Sequence, residues 1–202
     1  MEYQEIEIKL YVKNLGTIAE FLQRNEAQVL QPRTHEINLR FDTEKGELTA
    51  SGRVLRLRKD RNNLLTYKGP SQVNNGARIR TEIQTEVADF DAAKAILEAL
   101  GYRVSLIYEK YRAEYEWHDT HISLDEMPYG TFVEIEGQDA VQIHRVCTEL
   151  GLDWERRVPW SYAEIFSRIC VKEQINPQEL TFAVFQNRQI VLEEYGILPA
   201  QL

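Results

Sequence analysis

The chain has 202 residues and a formal net charge of −8, an acidic balance that argues against a general nucleic-acid-binding surface. Hydrophobic residues make up 43% of the chain and charged residues 28%, as in a soluble globular protein with a buried core. No apolar run is long enough to span a bilayer, and residues 1–4 have no signal-peptide character. The sequence therefore predicts a cytoplasmic protein with neither a nucleic-acid nor a membrane partner.

The first predicted element is a strand in which charged and apolar side chains alternate. Successive side chains of a strand point to opposite faces, so Glu5, Glu7 and Lys9 share one face and three aliphatic residues share the other. Taken alone, this alternation is typical of an ordinary solvated strand. Its meaning depends on whether other strands carry charges of both signs on the same face.

Hydrophobic spacing divides the rest of the chain into helices and further strands. A period near 3.6 predicts helices at about 15–28, 89–100 and 139–150, from about 161, and at about 181–195. Pro32 separates the first helix from the next strand, and residues 72–76 are assigned to a flexible loop. Alternation predicts strands at 35–42, 55–58, 65–68, 78–86, 104–117, 121–126 and 132–136.

Charges of both signs recur on one face of these strands. The set comprises Glu5, Glu7, Lys9, Arg40, Arg56, Arg58, Lys68, Arg78, Arg80, Glu82, Lys110, Arg112, Asp125, Glu134 and Glu136. If the opposite face packs against helices, this face either meets bulk water or lines a closed barrel. Charges inside a barrel are costly unless they are paired or bind a ligand. A wet cavity that binds a polyanion explains both signs, because carboxylates bind Mg²⁺ or Mn²⁺ whereas Arg and Lys bind phosphate oxygens.

The ordered series of motifs resembles the CYTH superfamily of triphosphate tunnel metalloenzymes over about residues 3–170. The Glu5-x-Glu7-x-Lys9 run is similar to the defining signature of that superfamily. The likeness continues through Arg40-Phe41-Asp42-Thr43, Leu55-Arg56-Leu57-Arg58, Thr66-Tyr67-Lys68-Gly69-Pro70, Arg80-x-Glu82, Lys110-x-Arg112, Leu124-Asp125, Phe132-Val133-Glu134-Ile135-Glu136 and Ser161-Tyr162. The resemblance implies an α+β fold, a closed eight-stranded antiparallel β-barrel with surrounding helices, over residues 1–172. Residues 173–202 then form a C-terminal helical extension.

The same resemblance implies a role for each charged position. The metal ligands for Mg²⁺ or Mn²⁺ would be Glu5, Glu7, Glu134 and Glu136, with Asp125 near a second metal position. The triphosphate would contact Lys9, Arg56, Arg58, Lys68, Arg80 and Arg112. Lys110 resembles a lysine associated with water activation, and Arg40 is a further substrate-binding candidate where many members carry Tyr. Glu82 would touch metal or orient a basic neighbour, although Gln84 replaces a frequent second acid.

Three functions remain open at this point. The first is a metal-dependent triphosphatase acting on inorganic triphosphate, a nucleoside triphosphate or thiamine triphosphate. The second is a class IV adenylyl cyclase, which forms cyclic AMP and pyrophosphate from ATP and needs the same tunnel charges. The third is a non-catalytic polyphosphate- or nucleotide-binding module. The resemblance also suggests a homodimer, while Tyr108 is assigned to packing and His121 to a surface or structural role.

Overall fold

The structure is a computed structural model that describes residues 4–201. Residues 1–3, part of the segment without signal-peptide character, and residue 202 lie outside the described residues. The strands β1 to β10 are, in chain order, Gln4–Val12, Gln28–Asp42, Val54–Lys59, Asn63–Lys68, Gln72–Asn74, Ala77–Glu86, Arg103–Trp117, Thr120–Met127, Gly130–Glu136 and Glu179–Leu180. The helices α1 to α6 are Leu15–Arg24, Glu47–Ala50, Phe90–Ala99, Ala140–Glu149, Tyr162–Glu173 and Phe182–Phe185, and short 3₁₀ helices span Trp154–Arg156 and Leu192–Tyr195.

Eight antiparallel strands close into a ring. Their order is β1-β9-β8-β7-β2-β3-β4-β6, and β6 pairs back to β1. The closing pair places Glu5 opposite Arg80, and the neighbouring pair places Lys9 of β1 opposite Glu134 of β9. The chain is therefore α+β with a ring-like antiparallel barrel, which confirms the predicted fold class.

Side chains alternate between the inside and the outside of the ring. Ile8 of β1 faces outward and packs with Ile18 of α1 and Ile143 of α4 in one hydrophobic cluster. The side chains of Asn14 and Asp139 accept backbone N–H groups at the first turns of α1 and α4, which fixes where these helices begin. The charged residues between the outward positions of β1 are thereby left on the inner face.

A second hydrophobic cluster covers one end of the barrel. Phe132, two residues before Glu134 on the same face of β9, packs in this cluster with Phe166 of α5 and with Leu180 and Leu192 of the C-terminal segment. β10 pairs parallel with β7 beside Tyr108, where β8 does not reach. Residues 173–201 are consequently packed into the same body as the barrel.

Four local predictions differ from the structure. The first helix ends at Arg24 instead of near 28, because Glu26 has a left-handed φ of 57° and the Ala27 N–H donates to the Leu22 carbonyl at 2.9 Å. β2 begins at Gln28 and passes through Pro32, and its register with β7 shifts around that proline, which has no N–H to donate.

The other two differences concern residues 72–74 and the C-terminal segment. A loop was expected at residues 72–74, but these residues form the short strand β5. It pairs with β6 beyond the point where the pairing of β4 with β6 ends. The single helix predicted at 181–195 is instead broken into α6 and the 3₁₀ turn at Leu192–Tyr195. Asn187 and the β-branched pair at 190–191 have low helix propensity, which accounts for the break. Among residues 4–201, no helix has both the length and the apolar character required to cross a membrane.

Candidate functional site

A cavity of about 770 Å³ is lined by the inward faces of the barrel strands. Among the predicted site residues, those that line it are Glu5, Glu7, Lys9, Arg40, Arg56, Arg58, Lys68, Arg80, Lys110, Arg112, Glu134 and Glu136. Arg78 and Glu82 of the charged face line it as well. Strand alternation thus brings charges from β1, β2, β3, β4, β6, β7 and β9 to one cavity.

Two arginines on the cavity wall formed by β2 and β3 face each other without a carboxylate between them. Arg40 of β2 lies directly opposite Arg56 of β3, and neither forms an ion pair with a described residue. Within the described part of the chain, Arg56 reaches only the Tyr108 hydroxyl at 3.5 Å and the Thr66 hydroxyl at 3.3 Å, and its Nε has no partner there. Burial lowers the pKa of Arg40, and the positive charges of Arg56 and Arg80 act in the same direction. An anion between the two guanidinium groups would relieve this repulsion.

The cavity wall formed by β1 and β9 has an excess of negative charge instead. Glu7 and Glu136 are directly opposed, and Glu136 forms no ion pair with a described residue. Burial raises the pKa of Glu136 to about 7, with further increases from the negative charges of Glu5, Glu7 and Glu82. This wall therefore carries more negative charge than its own cations neutralise.

The carboxylates of β1 are already held by cations from neighbouring strands. Glu5 accepts from Lys68 at 2.7 Å and from Arg80 at 2.6 Å, and Arg80 also reaches Glu7 at 3.1 Å. Within residues 4–201, no three acidic, histidine or cysteine side chains are gathered closely enough to hold a metal ion as they stand. The oxygen donors and the surplus negative charge at Glu136 nevertheless match the preferences of a hard divalent cation.

Glu134 links the acidic wall to two cations. Its carboxylate lies 2.7 Å from the Lys9 Nζ, and it also accepts a hydrogen bond from Arg112. Burial alone would raise the pKa of Glu134, but Lys9 and Arg112 hold it well below its usual value. Glu134 therefore stays ionised and keeps both cations at the cavity surface.

Asp125 lies behind the cavity wall and is fully buried. Arg112 donates to both of its oxygens, through Nε at 2.6 Å and Nη2 at 2.5 Å. The Lys110 Nζ lies 3.3 Å away, and the Tyr162 hydroxyl donates at 2.6 Å. The Arg112 Nη2 that binds Asp125 also donates to Glu134, so Asp125 lies directly behind the acidic wall, and its predicted place near a second metal stays a prediction.

Sequence reasoning missed several residues that shape the site. Tyr108 and His121, assigned to packing and to a surface or structural role, both line the cavity. Tyr162 places its ring under the Lys9 ammonium at 4.1 Å, and Glu36 lies fully buried beside Lys110. Tyr108 and Glu36 could have been found from alternation, since Tyr108 lies two residues from Lys110 on β7 and Glu36 lies four residues from Arg40 on β2. Tyr162 lies on α5, and the local sequence pattern does not indicate that this helix contacts the cavity.

Comparison with known proteins agrees with this geometry. The family model described as the CYTH domain matches residues 3–145. A candidate adenylate cyclase of Methanocaldococcus jannaschii is 26% identical over 134 residues, which cover 65% of this chain and 75% of that protein. The crystal structure of a candidate adenylate cyclase from Vibrio parahaemolyticus is 26% identical, with a TM-score of 0.72 and coverage of 83% of this chain and 99% of that chain.

A more distant structure shares the fold. A Hippeastrum protein described as a candidate adenylyl cyclase with a dominant triphosphatase activity is 18% identical, with a TM-score of 0.63, and the match covers 86% of this chain and 98% of that chain. At this identity the likeness concerns the fold alone. Because the family model spans most of the sequence, from residue 3 to residue 145, the chain belongs to the CYTH domain family.

Proposed function

We propose that this chain hydrolyses a triphosphate bound inside the barrel together with a divalent metal ion. One observation carries the proposal: the same cavity has an opposed cation pair, Arg40 and Arg56, and an acid, Glu136, none of which forms a direct ion pair with a described residue. A triphosphate supplies the negative charge that the arginines lack. A divalent cation supplies the positive charge that the acidic wall lacks. A single metal–triphosphate complex therefore matches both halves of the cavity.

The cations would bind the phosphate chain from several strands. Arginine forms paired hydrogen bonds with phosphate oxygens, whereas lysine provides a compact point charge. The candidate contacts are Lys9, Arg40, Arg56, Arg58, Lys68, Arg80 and Arg112. Several of them are already oriented by carboxylates, as Arg80 is by Glu5 and Lys68 is by Glu82 at 2.8 Å. Such fixed donors stabilise charge that develops on the phosphates without reorganising during the reaction.

The acidic wall would hold the metal. Glu5, Glu7, Glu134 and Glu136 are the candidate ligands for Mg²⁺ or Mn²⁺. Bound there, the ion would screen the phosphate charge and lower the pKa of a water molecule. Glu136 would lose its repulsion with Glu5 and Glu7, and would then remain ionised.

The reaction would be attack of water on the terminal phosphorus, with cleavage of the adjacent P–O bond and departure of the rest of the phosphate chain. Lys110 is the candidate catalytic residue. Its Nζ lies 3.3 Å from Asp125 and 3.5 Å from Glu36, and the side chain lines the cavity. An ammonium group held between two carboxylates is suited to stabilising negative charge on the reacting phosphate.

Adenylyl cyclase activity is the second candidate. The Methanocaldococcus jannaschii and Vibrio parahaemolyticus relatives are both named for that activity, each at 26% identity. In that reaction the ribose 3′-hydroxyl attacks the α-phosphorus and pyrophosphate leaves. The same cations would serve either reaction, so the wall charges do not separate them. The Hippeastrum protein supports triphosphate hydrolysis only by showing that this fold accommodates it.

Product analysis distinguishes these candidates. The protein would be incubated with inorganic triphosphate, ATP or thiamine triphosphate, each with Mg²⁺ or Mn²⁺, and the products separated by anion-exchange chromatography. Release of orthophosphate is expected for at least one substrate, whereas cyclic AMP and pyrophosphate from ATP would identify a cyclase. Triphosphate binding without turnover of any substrate would favour a non-catalytic module. The homodimer and the cytoplasmic location stay predictions of the sequence.

A further inference from the structure

Glu36 is a buried carboxylate that contacts two cavity cations from behind. It lies on β2, is fully buried and does not line the cavity. Its Oε2 lies 3.5 Å from the Lys110 Nζ, and its Oε1 lies 3.5 Å from Arg58 Nη1. Both cations line the cavity and belong to the strands on either side of β2, since Lys110 is on β7 and Arg58 on β3. A single anion thus bridges two cations across three adjacent strands.

The surroundings of Glu36 keep it charged. Burial alone would raise its pKa, but the positive charges of Lys110, Arg112, Arg58 and Arg56 lower the pKa of Glu36 to about 2. Neither carboxylate oxygen has a hydrogen-bond partner among the described residues. Its two contacts at 3.5 Å are therefore ionic and leave the donors of Lys110 and Arg58 available for shorter bonds elsewhere.

Each of these two cations also contacts a second carboxylate. Lys110 lies 3.3 Å from Asp125, and Arg58 Nε lies 2.9 Å from Asp60. Neither Asp125 nor Asp60 lines the cavity. An ammonium group has three N–H donors, and the hydrogen bond from Lys110 to Asp125 uses one of them, so the others are available for a ligand in the cavity.

We propose that Glu36 is a positioning residue that holds Lys110 and Arg58 in the orientation in which they bind the triphosphate. The inference rests on the proposed function only in that the ligand is a triphosphate. The proposal predicts that triphosphate affinity depends on where the Glu36 charge lies as well as on whether that charge is present. A carboxylate that merely balanced buried positive charge would affect stability and leave the affinity of the folded protein unchanged.

The test compares three variants of the full chain. E36Q removes the charge, E36D retains the charge but withdraws it by one methylene, and E126Q is the matched control. Glu126 pairs with Arg33 at 2.6 and 2.7 Å, away from the cavity. Inorganic triphosphate with Mg²⁺ is titrated into each protein by calorimetry, and thermal melting verifies that each variant is folded. Loss of a supporting partner behind a binding group typically costs about 10-fold or more, so E36Q should bind about 10-fold more weakly than wild type.

The matched variants make the outcome decisive. E36D should stay folded yet bind more weakly than wild type, while E126Q should bind as wild type does. In a Lys110→Met background the effect of E36Q should shrink, because one of its two targets is gone. Wild-type affinity in folded E36D overturns the inference even if E36Q does not fold. A wild-type protein that binds triphosphate without hydrolysing it contradicts the proposed activity and leaves the affinity comparison intact, whereas failure to bind overturns both.

Discussion

Glu7 and Glu136 stand directly opposite each other on β1 and β9, inside the barrel, and among residues 4–201 only Glu7 has a cationic partner, Arg80 at 3.1 Å. Like charges at opposed positions of two strands destabilise the pairing. A carboxylate pair in this position is retained at a cost to stability, which fits a role in binding a cation. The arrangement leads to the first of four expectations that experiments can check.

Glu136→Gln should raise the Mg²⁺ concentration needed for half-maximal activity by roughly tenfold, since carboxylate charge sets divalent-cation affinity. In EDTA, the variant should melt at the same temperature as wild type or higher, because the repulsion between positions 7 and 136 is gone. Metal-dependent rates and melting curves measure the two effects. A variant with an unchanged Mg²⁺ dependence would argue against position 136 as a ligand.

Arg40→Met should separate stability from binding. The methionine keeps apolar volume but removes a half-buried cation that faces Arg56, so the unliganded protein should gain stability, by about 1 kcal/mol. Inorganic triphosphate should raise the melting temperature of wild type far more than that of the variant. Melting curves with and without triphosphate test both statements, and an equal ligand-induced shift would contradict anion binding at this arginine pair.

Acid should weaken the fold partly through Glu36. The folded-state pKa of about 2 lies below the ordinary value of 4.5, so the carboxylate stabilises the fold above about pH 4.5. That contribution, of order 3 kcal/mol, is lost as the pH falls through 2. The free energy of unfolding should therefore fall more steeply between pH 4.5 and 2 in wild type than in E36Q. Denaturant melts across this range measure the two slopes, and parallel slopes would contradict the assignment.

The C-terminal segment should be needed for stability. Leu192 is fully buried in the cluster with Phe132, and its Cδ1 would lie 2.7 Å from a Cβ placed on Gly130. Leu192→Ala should cost about 2–5 kcal/mol of unfolding free energy. Val191→Ala, at an exposed neighbour, provides the control and should cost little. Urea denaturation compares the two, and similar midpoints would show that the segment contributes little to the core.

Much of the site could be predicted because strand alternation is a local property. The charges of Glu5, Glu7 and Lys9 share a face whatever their partners are, and so do those of Arg56 and Arg58. Membership of the inner wall therefore followed from spacing and from the family resemblance. Which of these charges pair with one another could not be predicted, because pairing depends on the register between strands that are distant in sequence.

Two residues illustrate what spacing could not supply. Strand alternation predicts that the Asp125 side chain belongs to the inner face, yet Arg112 and Tyr162 bind it behind the cavity wall. Glu36 also alternates with the outward residues of β2, but it stands near the start of the strand predicted at 35–42, where an acid is equally common on a solvated face. Its burial becomes evident only when β7 brings Lys110 opposite it.

The pairing of β1 with both β6 and β9 has a consequence for folding. Arg80, which binds Glu5 across the closing seam, lies 75 residues later in the chain, and Glu134, which binds Lys9, lies still further on. During synthesis the first strand has neither neighbour, and such distant pairings slow folding because loop closure precedes their contacts. Arg80 of β6 becomes available to Glu5 and Glu7 first, whereas Lys9 has no Glu134 to pair with until β9 emerges. The binding site and the ring are therefore completed in the same late event.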